Sequence, residues 1–229
     1  MMDQEKILFI DIETVPLVYQ YKDLDAVSKD LWDKKWHYAR DINPEQQYAK
    51  AGIYAEFAKV VCIGLGVFKK DKLQIMSISS DRESEVLSQF SKLISEHFHS
   101  SQYALCAHNG KEFDFPFLCR RFLINNLPLP GILRIQGMKP WEVKHIDTLD
   151  LWKFGDHKNF TSLNLLAHVF GIPSPKDNMD GSMVAQTYYE EKNLNKIAEY
   201  CKKDVITLAR IYLRFTGGGE LKDDQLIFA

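Results

Sequence analysis

Asp11 and Glu13 flank a single isoleucine at the end of Lys6-Ile-Leu-Phe-Ile-Asp11, an apolar run that closes abruptly in acid. Successive side chains of an extended chain point to opposite faces, so the two carboxylates fall on one face, one strand step apart. Neighbouring carboxylates repel and raise each other's pKa unless a cation lies between them. The pair therefore reads as a cation site or as a strand emerging into solvent. A further acid, Asp114, sits in His108-Asn-Gly-Lys-Glu-Phe-Asp-Phe-Pro-Phe117, in the first turn of an aromatic-rich helix. An Asp there also serves to cap a helix or complement its dipole. In Tyr200-Cys-Lys-Lys-Asp204 the i, i+4 spacing places a phenol and a carboxylate on one helix face. That face borders the apolar stripe Ile197, Cys201, Leu208 and Tyr212, although an acid beside Lys202 and Lys203 is also what an exposed ion pair provides.

The elements that must hold these residues follow from periodicity. The first run, unalternating and apolar, suits a central strand buried on both faces. Residues 17–58 read as a helical excursion with several Trp and Tyr, interrupted at Asn43-Pro44. Val60–Phe68 and Leu73–Ile78, joined by Lys69-Lys-Asp-Lys72, read as a hairpin. A helix starting near Ser80 or Asp81 carries Val86, Leu87, Phe90, Leu93, Ile94 and Phe98 in one stripe. Tyr103–Ala107 is a short buried strand, a helix follows from about Phe113, and Val143–Ile146 is a fifth strand ending at Asp147. From Ser162 the pattern is helical, and Gly217-Gly-Gly219 ends the last long helix. Five strands interleaved with helices predict a mixed α/β layout around one sheet. The whole of 1–229 reads as a single domain, with 17–58 as a helical insertion and 217–229 as a tail.

Of the 229 residues, 45% are hydrophobic and 26% charged, the mix of a globular chain. Lys plus Arg is 29 and Asp plus Glu is 31, so the net charge is −2. That excludes broad capture of nucleic acid by a basic surface, but not a local site that supplies its own cations. No apolar run approaches the roughly 20 residues of a membrane helix, and MMDQEKILFIDIE does not have the pattern of a secretory leader. Cys62, Cys106, Cys119 and Cys201 show no CxxC pairing; they read as reduced residues of a cytoplasmic protein, not as a zinc site.

DxE at a strand end, then NxxxFD, then YxxxD, in that order along the chain, resembles the DEDD superfamily of 3′–5′ exonucleases in its tyrosine-type variant. FIDIETVP, HNGKEFDFPFL and YCKKDV are most similar to the proofreading exonuclease domain of family B DNA polymerases. The resemblance runs from the first strand to the last long helix. It implies a ribonuclease-H-like fold, a five-stranded mixed sheet with its second strand antiparallel to the rest, flanked by helices. Four carboxylates without His or Cys are a hard-oxygen ligand set, suited to Mg²⁺ or Mn²⁺. Two such ions about 4 Å apart clamp the attacking and leaving oxygens of an in-line displacement at phosphorus. The family implies that Asp11 bridges both ions, that Glu13 and Asp204 complete one site, and that Asp114 holds the second ion. Tyr200 would orient the attacking water; a phenol with pKa near 10 is a poor base. Thr14 would lie near the terminal 3′-hydroxyl, and Asn109 and Phe113 near the terminal nucleotides, although Phe113 equally suits the core.

The resemblance thus implies a metal-dependent exonuclease acting on single-stranded or frayed DNA 3′ ends. An exoribonuclease is the alternative, because superfamily members with the same acids act on RNA. A catalytically silent nucleic-acid-binding module is disfavoured by the presence of all four acids and the tyrosine, and a sugar-phosphate phosphatase by the lack of a nucleophile motif. Asp147 and Asp150 read as strand-end caps or partners of the site, and His108 and His145 as structural histidines. The aromatic residues of 17–58 either pack the insertion onto the sheet or stack on bases.

Overall fold

In the computed structural model, residues 2–37, 43–99, 101–139, 141–156, 160–173 and 179–229 are described. The apolar opening run forms β1 (Ile7–Pro16), in the interior of a six-stranded sheet. The hairpin forms as β2 (Ala58–Lys69) and β3 (Lys72–Ser79), antiparallel to each other, with β2 antiparallel to β1. On the other side of β1 lie β4 (Ala104–Ala107) and then β5 (Ile146–Asp147), both parallel to it. Among the described strands, β2 is thus the one running against the others. The fifth strand is confined to Ile146–Asp147, shorter and later than Val143–Ile146. The expected count of five is also corrected. Leu226–Phe228, in the presumed tail, forms β6, parallel to β3 at the sheet edge, giving the order β5-β4-β1-β2-β3-β6.

Helices cover both faces. In the insertion, where 38–42 lie outside the described residues, α1 (Ala26–Trp36) and α2 (Pro44–Gln47) enclose a small core of Trp32, Tyr48 and Ala51. α3 (Glu83–His97) and α4 (Asp114–Ile124) pack on the face carrying Leu8, Ile10 and Ile12. They are joined by a buried ion pair: Arg121 donates from Nε to Glu83 Oε1 at 2.8 Å and from Nη1 to the Ala55 carbonyl at 2.7 Å. Val60 N–H also donates to Glu83, so α3, α4, β2 and the end of the insertion share one anchor. α5 (Thr148–Lys153), α6 (Leu163–Val169) and α7 (Val184–Tyr189) lead to α8 (Leu194–Thr216), which covers the face of Ile7 and Phe9.

α8 comes unusually close to the sheet because β2 offers glycine beneath it. A Cβ on Gly64 would lie 2.8 Å from Cys201 Sγ, and one on Gly66 2.7 Å from Val205 Cγ1. Gly64 is the strand partner of Asp11, so this approach carries the Tyr200–Asp204 turn onto the acidic row of β1. Among the described residues, no helix is long and apolar enough to cross a membrane.

Candidate active site

Ile7 and Phe9 fill the core under α8, and the same row of β1 continues as Asp11 and Glu13. Glu13 is 6% exposed and Asp11 half-buried. The strand register breaks between Glu13 and Thr14. Such bulges re-aim side chains and recur beside active sites. Thr14, just past the break, donates its hydroxyl to the Gly52 carbonyl at 2.7 Å, tying β1 to the insertion.

Burial raises the pKa of both carboxyls well above the usual range. Repulsion from Asp204 and then Asp114 adds to it at Asp11, and repulsion from Asp11 and then Asp204 at Glu13. Beneath them lies a residue read from the sequence only as core. Cys201 Sγ donates to the Asp11 carbonyl and to its Oδ2, each at 3.4 Å. Ligand atoms of Asp11, Glu13 and Cys201 lie within 4.8 Å of one another. Burial and the neighbouring Cys62 push the Cys201 thiol up, so it is a neutral donor at the floor of the site. Its place between Tyr200 and Asp204 was the available signal, but apolar periodicity explains a cysteine there equally well.

Asp114 arrives from the opposite face of the sheet. β4 pairs with β1 through Ile7–Phe9, so past Phe9, among the described residues, that edge of β1 has no strand beside it. Asp114 Oδ1 accepts the N–H of Ile12 there at 3.2 Å, between the two acids of β1. Burial pushes its carboxyl up to about 7, with Asp147 adding to the rise and backbone hydrogen bonds opposing it. The preceding loop is clamped by Asp147, whose carboxylate accepts Asn109 N–H at 2.8 Å and Lys111 N–H at 3.0 Å. The same carboxylate caps α5 through Leu149 N–H at 2.9 Å. Asp147 is thus the cap that its position suggested, and it also holds the loop that leads to Asp114. Asn109 adopts φ 62, a left-handed conformation that Asn tolerates. Phe113 precedes α4, half-buried against the core, its ring 5.4 Å from that of Phe117. His108 is held between Thr148 Oγ1 and the Thr161 carbonyl, as a structural histidine should be.

On α8, Tyr200 packs with the Cys62–Cys201 cluster. Burial, the charges of Asp204 and Glu13, and a hydrogen bond to Asp204 push its phenol far up, so it stays protonated. Lys202 pairs with Glu199 at 2.6 Å. Asp11 and Glu13 therefore lie within electrostatic reach of both Asp114 and Asp204, and Tyr200 within reach of Asp11, Glu13 and Asp204. Apart from one protonated thiol, the converging donors are oxygens, most of them carboxylate, a set that fits a hard divalent cation.

Residues 53–226 match the family described as a predicted 3′–5′ exonuclease related to the exonuclease domain of PolB. The chain belongs to this family. The matched span holds Asp114, Tyr200 and Asp204, while β1 with Asp11 and Glu13 precedes it. Among solved structures, this exonuclease-family chain is similar to the family B DNA polymerase from the hyperthermophilic archaeon Pyrobaculum calidifontis. The TM-score is 0.52 at 14% identity, over 96% of this chain and 26% of the polymerase. The likeness is one of fold, ribonuclease-H-like as expected, and the chain spans only a minor part of the polymerase's length. Among curated proteins none matches the sequence.

Proposed function

We propose that the chain is a metal-dependent 3′–5′ exonuclease of the tyrosine type, removing nucleotides from single-stranded or frayed DNA. One observation carries this reading: Asp11 and Glu13 on β1 meet Asp114 from one side of the sheet and Tyr200 and Asp204 from the other. The carboxylates of Asp11, Glu13, Asp114 and Asp204 would hold two Mg²⁺ or Mn²⁺ ions. When bound, such ions supply positive charge to the scissile phosphate and to the attacking and leaving oxygens. Tyr200, protonated and hydrogen-bonded to Asp204, would orient the attacking water with its hydroxyl but would not take its proton. Thr14, Asn109 and Phe113 line the approach to the terminal nucleotide. A paired end must first be unstacked at a cost of a few kcal/mol, which favours single strands.

The test is incubation with Mn²⁺ and 5′-end-labelled single-stranded DNA and RNA of equal sequence. A DNA ladder shortening from the 3′ end, with nucleoside 5′-monophosphates released, is expected. It should vanish in EDTA, return with Mg²⁺, and fail to return with Ca²⁺. A ladder on RNA alone would make the chain an exoribonuclease. Cutting of circular single-stranded DNA, or full activity in EDTA, would overturn the proposal.

A further inference from the structure

We infer that Phe154 is a base-stacking platform for the single strand upstream of the terminal nucleotide, an inference that rests on the exonuclease reading above. α5 is capped by Asp147, the residue that clamps the loop leading to Asp114. Along its length Lys111 Nζ lies 3.3 Å from Asp150, and Lys153 Nζ lies 3.8 Å from Glu112, two residues before Asp114. Six residues of helix advance about 9 Å. Phe154 therefore stands at the outer end of a short helix whose inner end is fixed to the candidate active site.

Its conformation is unfavourable in two ways. The backbone is left-handed, φ 44 and ψ 33, a region where a side chain is strained and glycine is the usual occupant. The residue is 85% exposed. Gly155 follows immediately at φ 90, so glycine is present one position away. Nor is Phe154 a ring displaced from the core. Trp152 fills that place, its indole donating to Thr161 Oγ1 at 3.0 Å and its ring packed on Phe170 and Phe215. Phe160, beside Thr161, is 67% exposed on the same connection. Backbone strain that the surrounding structure retains points to function. An exposed ring there suits a nucleobase, because every base has a face to stack and no sequence need be read. The lysines of this wall are neutralised by Asp150 and Glu112, so attraction through the ring should not depend on salt.

The test compares wild type, Phe154→Gly and Phe154→Trp for binding of fluorescein-labelled oligothymidylates of three and twelve nucleotides, read by anisotropy in Ca²⁺. Wild type should bind the longer strand more tightly. Phe154→Gly should lose about 5- to 100-fold of affinity for it, without a change in the salt dependence of log Kd, while Phe154→Trp retains binding. The melting temperature of Phe154→Gly should equal or exceed that of wild type, since glycine relieves the backbone. If wild type degrades the longer strand and Phe154→Gly binds it with wild-type affinity, the platform falls and the exonuclease reading stands. If wild type neither binds nor degrades any strand, both fall.

Discussion

The carboxylate of Asp114 accepts the backbone N–H of Ile12 at 3.2 Å, across 102 residues of sequence. The acceptor opens α4 and the donor sits between Asp11 and Glu13, so one hydrogen bond ties the start of the helix to the acidic end of the strand. Asp114→Asn keeps an accepting oxygen and removes a charge that burial disfavours, so its stability should be at or above that of wild type. Asp114→Ala leaves the Ile12 N–H unpaired and should be less stable than the Asn variant by about 1–3 kcal/mol. Both should lose about a thousandfold in rate with the ligand charge. Urea denaturation separates them; equal stability would mean the bond carries nothing.

Asp11→Asn should lower turnover by at least about three orders of magnitude, because the residue lies between the other acids and would hold both ions. Metal-free stability should be unchanged or increased, since burial and the charges of Asp204 and Asp114 disfavour the ionised carboxyl. Thermal melts in EDTA beside rates in Mn²⁺ check this. An unfolded variant, or one of near-normal rate, contradicts it.

What could be read from sequence was local in cause. Alternation placed Asp11 and Glu13 on one face, and i, i+4 spacing placed Tyr200 with Asp204, because backbone geometry alone determines those relations. What escaped depends on contact between distant segments. Asp147 caps α5 as an isolated reading suggests, but its grip on Asn109 and Lys111 appears only once β4 and β5 lie side by side. The thiol of Cys201 beneath Asp11 depends on Gly64, which no periodicity links to α8. β6 is three residues long, too short for a period. It is held along β3 by Arg210 with Asp223 and by Gln225 with the Asp71 carbonyl.

Tyr200→Phe should slow turnover far less than Asp204→Ala. The phenylalanine keeps the ring in the Cys62–Cys201 cluster and removes one positioned donor, an effect of about 10- to 1,000-fold. Asp204→Ala removes a proposed ion ligand. Single-turnover rates in Mn²⁺ make the comparison. If both variants stay fully active, the α8 pair has no part in the chemistry.

His145 provides a pH dependence of folding. Its Nε2–H donates to the Ile132 carbonyl at 2.9 Å, and Nδ1 accepts Leu105 N–H at 3.3 Å, which leaves no place for a second proton. Burial pushes the imidazole down to about 4, with Lys111 adding to the shift and the Ile132 carbonyl opposing it. Between about 6.5, the unfolded value, and about 4, the unfolded chain binds a proton that the folded chain does not. Stability from His145 is therefore present above the window and lost as pH falls through it, on the order of 3 kcal/mol in all. The raised carboxyls of Asp11, Glu13 and Asp114 act in the opposite sense, but equally in a His145→Gln variant. The stability gap between wild type and that variant should narrow from pH 7.5 to 4.5. A constant gap would refute the assignment.

Gly64→Ala tests whether the close approach of α8 matters to chemistry more than to folding. The added Cβ would lie 2.8 Å from Cys201 Sγ, 2.9 Å from Val205 Cγ2 and 3.0 Å from the Cys201 carbonyl. Side chains can rotate away, but the carbonyl belongs to the helix, so α8 must move outward. Overpacking of this kind destabilises by about 1–3 kcal/mol. The displacement bears directly on Tyr200 and Asp204, which flank Cys201, relative to Asp11 on the neighbouring strand. A misplacement of about 1 Å can lower a rate about a hundredfold, so kcat should fall steeply while KM changes little. Gly131→Ala is the control: nothing lies within 4 Å of a Cβ there, and both rate and stability should match wild type. Wild-type kcat in Gly64→Ala would show that α8 has room to yield, and that its depth against β2 does not set the geometry of the acids.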